Sequence, residues 1–305
     1  MHKPIAAPLC DNIALRIHDH TLQACLSAIH AQHKHQRLTM LPHIQLLAVD
    51  LDGTTLSASG AVSARVREAL ARAAQRRLWI TLATGRNLPS ARPFAEVMHI
   101  NAPIICLQGS LIYDLAKERV LRRCTLPSTL ICDLLAAHEV HWPVAAYRSE
   151  QIFVVDPQLA HTIYAAIRQE PTQVPDLCQA LYPEGADKLL FQVPEHEIPH
   201  ATRVLRNFVG DQAHVVQSDK HYVEVIPKDA DKGNALRWLA QYLGVPREAV
   251  MAIGDQDNDA AMLAWAGLGV AMGNGSEAAK AAAAWVAPSI EQDGAAVAIE
   301  RFVLR

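Results

Sequence analysis

Ile44-Gln45-Leu46-Leu47-Ala48-Val49-Asp50-Leu51-Asp52-Gly53-Thr54 is an apolar run that ends in two carboxylates, a glycine and a threonine. Its shortness and abrupt polar stop predict a buried strand over 46–49. Side chains alternate faces along a strand, so Asp50 and Asp52 are expected to look into one small volume at its C-terminal end. In an open α/β sheet that end is where ligands bind. Two like charges so placed repel unless a cation or a proton intervenes, and the pair reads as an acid/nucleophile couple served by a divalent ion.

Outward from this strand, apolar runs alternate with helix-period segments. Ser63 can cap a helix presenting Val66, Ala69, Leu70 and Ala73 on one face, followed by a strand over 78–82, a helix over 87–98 and a strand over 103–107. The rhythm resumes after residue 222 with a helix over 234–243, a strand over 250–253, a helix over 257–265, a strand over 268–271 and a helix over 276–284. This order implies a parallel sheet with right-handed crossovers. Between the two stretches, strands over 152–155, 188–193 and 214–216 mix with helices near 130–138, 159–168 and 199–208. The expected class is α/β. A Rossmann-like, doubly wound parallel-sheet core formed by 41–125 and 222–305 is interrupted by an inserted α+β domain over 126–221, long enough to fold alone. Residues 1–40 are expected to be an N-terminal extension with an amphipathic helix over 13–31, and Met40 is a candidate alternative start. Seven of the fifteen histidines (His2, His18, His20, His30, His33, His35, His43) fall before Gln45, at spacings that match no zinc signature.

The chain has 305 residues, 50% of them hydrophobic, which is enough for two domains. Its net charge of −3 offers no basic footprint for nucleic acid and no polybasic membrane patch, so a small soluble ligand is the expected partner. The longest uninterrupted apolar run, 260–272, falls short of the ~18 residues a membrane span requires. Six cysteines (Cys10, Cys25, Cys106, Cys124, Cys132, Cys178) are scattered with no Cys-x-x-Cys pair, which implies a reducing, cytoplasmic setting.

Chemistry-bearing residues recur where the pattern places strand ends. Asp50 can attack phosphorus and form an aspartyl-phosphate, and Asp52 can serve as general acid and base. Their distinct roles demand separated pKa values. Thr84-Gly85 follows the strand over 78–82 and offers a hydroxyl and an amide to an anionic oxygen, with Arg86 supporting the loop. Lys232-Gly233 precedes a helix; a cation there opposes the macrodipole and makes sense with an anion between the two. In Gly254-Asp255-Gln256-Asp257-Asn258-Asp259, Asp255 and Asp259 are spaced to share a helix face, and hard carboxylate oxygens at a strand end suit Mg²⁺.

These four segments, in this order, resemble the haloacid dehalogenase-like superfamily of phosphohydrolases over 44–305, including Ala271-Met272-Gly273-Asn274-Gly275 and Glu291-Gln292-Asp293-Gly294-Ala295. The insertion resembles the large α/β cap of Cof-type phosphatases, subclass IIB. The resemblance implies Asp50 as nucleophile and Mg²⁺ ligand, Asp52 as a ligand through its backbone carbonyl with a free carboxyl for proton transfer, and Asp255 as the third protein ligand. Asp259 would orient the ligands from behind them, and Thr84, Gly85, Lys232, Asn258 and the Leu51 amide would hold the phosphoryl group. The implied activity is Mg²⁺-dependent hydrolysis of a small phosphorylated metabolite, such as a sugar phosphate, a nucleotide-type cofactor or pyridoxal phosphate, with the cap choosing the leaving group. A phosphomutase on hexose phosphates and a catalytically silent phosphometabolite-binding regulator are the alternatives. Two positions depart from the family pattern: Gln108-Gly109 stands where Asn-Gly is common, and Asp229-Ala230 replaces a glycine-containing step.

Overall fold

A computed structural model describes residues 43–305. The expected helix over 13–31, Met40 and the histidines preceding His43 lie outside the described residues. In chain order, β1 (Leu46–Val49), α1 (Ala64–Gln75), β2 (Trp79–Leu82), α2 (Leu88–Val97) and β3 (Ile104–Cys106) lead into β4 (Leu111–Asp114) and β5 (Arg119–Arg123). The insertion contributes α3 (Ser128–Ala136), β6 (Val144–Arg148), β7 (Gln151–Val154), α4 (Pro157–Ile167), β8 (Thr172–Gln173), α5 (Leu177–Leu181), β9 (Lys188–Gln192), α6 (Ile198–Val209), β10 (Ala213–Asp219) and β11 (Tyr222–Pro227). The chain closes with α7 (Lys232–Leu243), β12 (Val250–Gly254), α8 (Ala260–Trp265), β13 (Leu268–Ala271), α9 (Glu277–Ala282), β14 (Trp285–Val286) and α10 (Gly294–Phe302).

The core is a parallel sheet in the order β14-β13-β12-β1-β2. The Ala83–Ile105 bridge, with the Thr84 amide donating to the Ile105 carbonyl at 2.9 Å, carries it on to β3. A parallel sheet covered on both faces needs strands apolar throughout, and every residue of β1 is buried. On one face, Leu46, Ala48 and Ala252 pack against Leu236, Leu239 and Met262. Ser63 caps α1 by accepting from the Val66 amide at 3.2 Å, and Val66, Ala69, Leu70 and Ala73 are buried as their spacing predicts. The chain winds from β1 through β2 to β3 on one side and returns through β12 on the other. The winding therefore reverses between β1 and β12, and the crevice beyond their C-terminal ends is the place such a sheet offers a ligand.

The insertion forms a second sheet in the order β10-β11-β9-β6-β7-β8, antiparallel except at β7–β8. Ala146, Phe153, Leu189, Phe191, Val223 and Val225 on one face pack against α3 and α6. Fully burying a side chain such as Phe191 contributes ~1.5–3 kcal/mol. Strand alternation sends Tyr147, Lys188, Leu190, Tyr222 and Glu224 to the opposite face, where they roof a cleft over the core.

Several sequence expectations change. The boundary between 221 and 222 cuts the β10–β11 hairpin: Tyr222–Pro227 is paired on both sides within the second sheet, so that unit extends to Pro227. Helix α7 begins at Lys232, because Asp231 accepts from the Asn234 amide at 2.7 Å and caps it. The helix expected over 257–265 is a 3₁₀ turn, Asp257–Asp259, followed by α8. The cysteines are not all free thiols: Cys132 on α3 and Cys178 on α5, with Cα atoms 5.4 Å apart, form a disulfide. Among the described residues no helix is long and apolar enough to cross a membrane.

Candidate active site

Asp50 leaves β1 with its amide bonded to the Ile253 carbonyl of β12 at 2.9 Å. The backbone then turns: the Leu51 carbonyl accepts from the Thr55 amide at 3.0 Å and the Leu56 amide at 2.7 Å, and Gly53 takes φ +84°. Glycine is required there twice over, since a Cβ would also run into the Asp255 carboxylate. Thr54 Oγ1 donates to Asp255 Oδ1 at 2.9 Å, so the loop after β1 grips the acid that follows β12.

This turn overrides the expected pairing of Asp50 with Asp52. Strand alternation stops with the strand at Val49. Asp50 is buried, whereas the Asp52 side chain is 55% exposed at the cleft rim. There Arg86 grips it with both ends of the guanidinium, Nε to Oδ2 at 2.8 Å and Nη2 to Oδ1 at 2.6 Å. The two aspartates still line the same cleft, of about 340 Å³.

The buried partners of Asp50 come from elsewhere. Asp50, Asp255 and Asp259 each bring a carboxylate oxygen within 4.8 Å of the others. Lys232 Nζ donates to Asp50 Oδ1 at 2.7 Å and to Asp259 Oδ1 at 2.6 Å. Asp259 Oδ2 accepts from the amides of Asp255 at 2.9 Å and Gln256 at 3.0 Å, and Gln256 Nε2 donates to Asp255 Oδ2 at 3.0 Å. Burial pushes Asp50 well above the ordinary aspartate value of 3.8, and the Asp259 and Asp255 charges add to the rise while Lys232 opposes it. Asp255 is raised first by burial and then by Asp259. Burial alone would depress Lys232, but the charges of Asp259 and Asp50 outweigh it and hold the ammonium protonated. Three buried carboxylates thus face one ammonium. Hard oxygen donors with surplus negative charge fit a divalent cation, with Asp50 and Asp255 best placed to hold it because Asp259 spends both oxygens on Lys232 and backbone amides.

Of the expected phosphate-binding residues, Gly85 and Asn258 line the cleft with Asp50 and Asp52. Thr84 and Lys232 are buried beneath it, and the Thr84 hydroxyl accepts from the Arg86 amide at 3.1 Å. The Leu51 amide donates to no group among the described residues. Asn258 Nδ2 donates to Gln108 Oε1 at 2.9 Å, while Asn258 Oδ1 is buried with no partner among the described residues.

Gln108, named from the sequence only as a departure from the family pattern, joins the core to the inserted sheet, and its partners there, Lys188 and Glu224, were missed. Gln108, in the left-handed region at φ 59°, donates from Nε2 to Glu224 Oε2 at 3.1 Å. Glu224 Oε1 also accepts from Lys188 Nζ at 2.9 Å and Ser218 Oγ at 2.9 Å, and Lys188 Nζ reaches down to the Gly85 carbonyl at 3.0 Å. The available signal was a charge set inside each apolar strand, Lys188 ahead of Leu189-Leu190-Phe191 and Glu224 between Val223 and Val225.

Residues 47–299 match the family model of haloacid dehalogenase-like hydrolases. The chain is 29% identical over 262 residues to 5-amino-6-(5-phospho-D-ribitylamino)uracil phosphatase YitU of Bacillus subtilis, covering 82% of this chain and 94% of that protein. It is 30% identical over 275 residues to the chloroplastic endoribonuclease YBEY of Arabidopsis thaliana, where the match takes in 86% of this chain but spans only 47% of the relative's length. A crystal structure of a haloacid dehalogenase-like hydrolase from Bacteroides thetaiotaomicron superposes with a TM-score of 0.75 at 27% identity, covering 85% of this chain and 99% of that one. With its acids at the sheet's winding reversal and a match running from β1 into α10, the chain belongs to the haloacid dehalogenase-like hydrolase family, and within it to the Cof-type phosphatases.

Proposed function

We propose that this chain hydrolyses phosphomonoesters of small metabolites with the help of Mg²⁺, through an aspartyl-phosphate formed on Asp50. The observation that carries the reading is the Asp50 carboxylate, buried at the foot of the cleft and held by Lys232 beside Asp255 and Asp259. Lys232 fixes Asp50 Oδ1, whereas Oδ2 makes no hydrogen bond among the described residues, so Oδ2 is the oxygen open to attack phosphorus. As the phosphorus–ester oxygen bond breaks, the leaving alcohol takes a proton from Asp52; Asp52 then accepts a proton from the water that opens the acyl phosphate. Arg86 occupies both Asp52 oxygens, so at least one of those bonds opens when substrate enters. Lys232, Asn258, Thr84 and the amides of Leu51 and Gly85 hold the phosphoryl oxygens. A divalent cation held by Asp50, Asp255 and the Asp52 carbonyl would supply charge neutralisation on the transferring group. The roof formed by the inserted sheet excludes bulk water and meets the alcohol.

The named substrate of YitU, a phosphomonoester, supports the substrate class. The test is phosphate release from a panel of phosphorylated metabolites, with Mg²⁺ or chelator, beside Asp50→Asn. Release that needs Mg²⁺ and falls more than ~10³-fold in Asp50→Asn is expected. Undiminished turnover by that variant, or full activity in chelator, overturns the mechanism, and isomerised hexose phosphate without free phosphate would assign a mutase instead.

A further inference from the structure

We propose that the cleft selects phosphomonoesters whose leaving alcohol bears no anionic group, and rejects those carrying a carboxylate or a second phosphate. The inference rests on the phosphatase reading above and names the substrate class of the same site.

Charge accounting around the cleft carries it. Among the described residues lining the cleft, the cations are Arg86 and Lys188, and each is already committed. Arg86 grips both oxygens of Asp52 and, when one of those bonds opens for substrate, stays tied to the other. Lys188 is spent on Glu224 and the Gly85 carbonyl, with the Tyr147 ring 4.6 Å from its ammonium. Beneath the cleft, Lys232 belongs to Asp50 and Asp259. The lining carboxylates are Asp50, Asp52, Asp219 and Glu224, which outnumber those cations. The reacting phosphoryl group meets Lys232 and the loop amides, but an anion at the far end of the substrate meets no spare positive charge.

The Lys188–Glu224 pair does not yield one readily. Both side chains are under 5% exposed, and Glu224 is further held by Ser218 and Gln108. An anionic substituent that drew Lys188 away would leave Glu224 buried and unpaired, and one that did not would sit against like charge. The polar groups that remain are neutral. The hydroxyls of Tyr147 and Tyr222 make no hydrogen bond among the described residues, and burial holds the Tyr147 phenol protonated. Leu190, Ala166 and Ile167 complete the wall with apolar surface. Such a lining receives an uncharged or cationic body of about one ring, which suits a cleft of about 340 Å³ once the phosphoryl group is seated.

The experiment compares kcat/KM for benzyl phosphate, 4-carboxybenzyl phosphate and 4-(aminomethyl)benzyl phosphate, which share one body and differ in charge, with p-nitrophenyl phosphate as the activity standard. The carboxylated ester is expected to fall at least ~100-fold below benzyl phosphate, and the aminomethyl ester to match or exceed it. Tyr222→Lys, made together with Asp219→Asn because the two positions pair across the β10–β11 hairpin, adds an uncommitted cation without touching the buried pair and is expected to shrink the carboxylate penalty ~10-fold. Equal or faster turnover of the carboxylated ester, or a penalty unmoved by the double substitution, overturns the inference while leaving the phosphatase reading intact. No phosphate release from any of the four esters overturns both.

Discussion

Replacing Lys232 by methionine isolates the electrostatics of the acid cluster, because methionine nearly fills the same volume and keeps the cavity term small. The Lys232 side chain is 2% exposed, and its partners Asp50 and Asp259 are 6% and 1% exposed, so solvent screens neither bond. Removing one member of a buried ion pair costs ~3–5 kcal/mol, since the remaining charge is left desolvated. The cost does not double, because Asp259 keeps the Asp255 and Gln256 amides as donors and Asp50 is the carboxylate left stranded. At ~2–4 °C per kcal/mol for a chain of this size, thermal unfolding in chelator at neutral pH should drop by ~6–20 °C. The drop should shrink in Mg²⁺, which offers the carboxylates another positive charge. Adding Asp50→Asn to Lys232→Met should recover ~1–3 kcal/mol in chelator, because a neutral amide no longer needs the ammonium. Circular dichroism melts of the three proteins decide the matter. A Lys232→Met protein melting within ~1 °C of wild type in chelator would refute the reasoning, since a stranded buried charge cannot cost so little.

Two further outcomes concern the acid cluster and the Gln108 bridge. Asp50 and Asp255 are raised above 3.8 in the folded protein, so proton binding favours the folded state: the stability this contributes is full below about pH 4 and is lost as pH rises through the raised folded values. In chelator the wild type should therefore lose melting temperature relative to Asp50→Asn as pH climbs from that range toward neutrality, and parallel melting curves for the two proteins would count against the shift. Gln108→Asn, one methylene shorter, cannot span Asn258 and Glu224 together; kcat/KM for phosphate release should fall ~10–100-fold, the worth of a hydrogen bond to a charged group, and a variant with full activity would show that the bridge does not matter to turnover.

Legibility in the sequence tracked the range of the interactions. Strand β1, the Ser63 cap of α1 and the acids following β12 were readable because each depends on neighbours within a turn or a strand. Asp52 shares the cleft with Asp50 as expected, but it sits at the rim because alternation stops at Val49, where hydrogen bonds to the Leu51 carbonyl turn the chain. The assignment of β11 was decided by pairing with β9, some thirty residues away by the Leu190–Glu224 register. Lys188 and Glu224 escaped for the same reason: each reads as an isolated charge until cross-strand packing sets them side by side. The Cys132–Cys178 bond spans 46 residues, too far for spacing to reveal. The Asp231 cap of α7, although local, was not read, so Lys232 was expected ahead of the helix whereas it lies within the first turn.

The row of bonds from Glu224 through Gln108 to Asn258 has a direction as well as a location. A carboxylate can only accept, so Gln108 must turn its amino end toward Glu224 and its carbonyl toward Asn258, which in turn must present its amino end. Each amide is thereby denied the half-turn it could otherwise make freely. Without Glu224 as the first acceptor, both amides would be free to rotate and Asn258 would have no defined polarity. The inserted sheet therefore fixes which end of each amide faces which neighbour at the edge of the cleft that Asp50 lines.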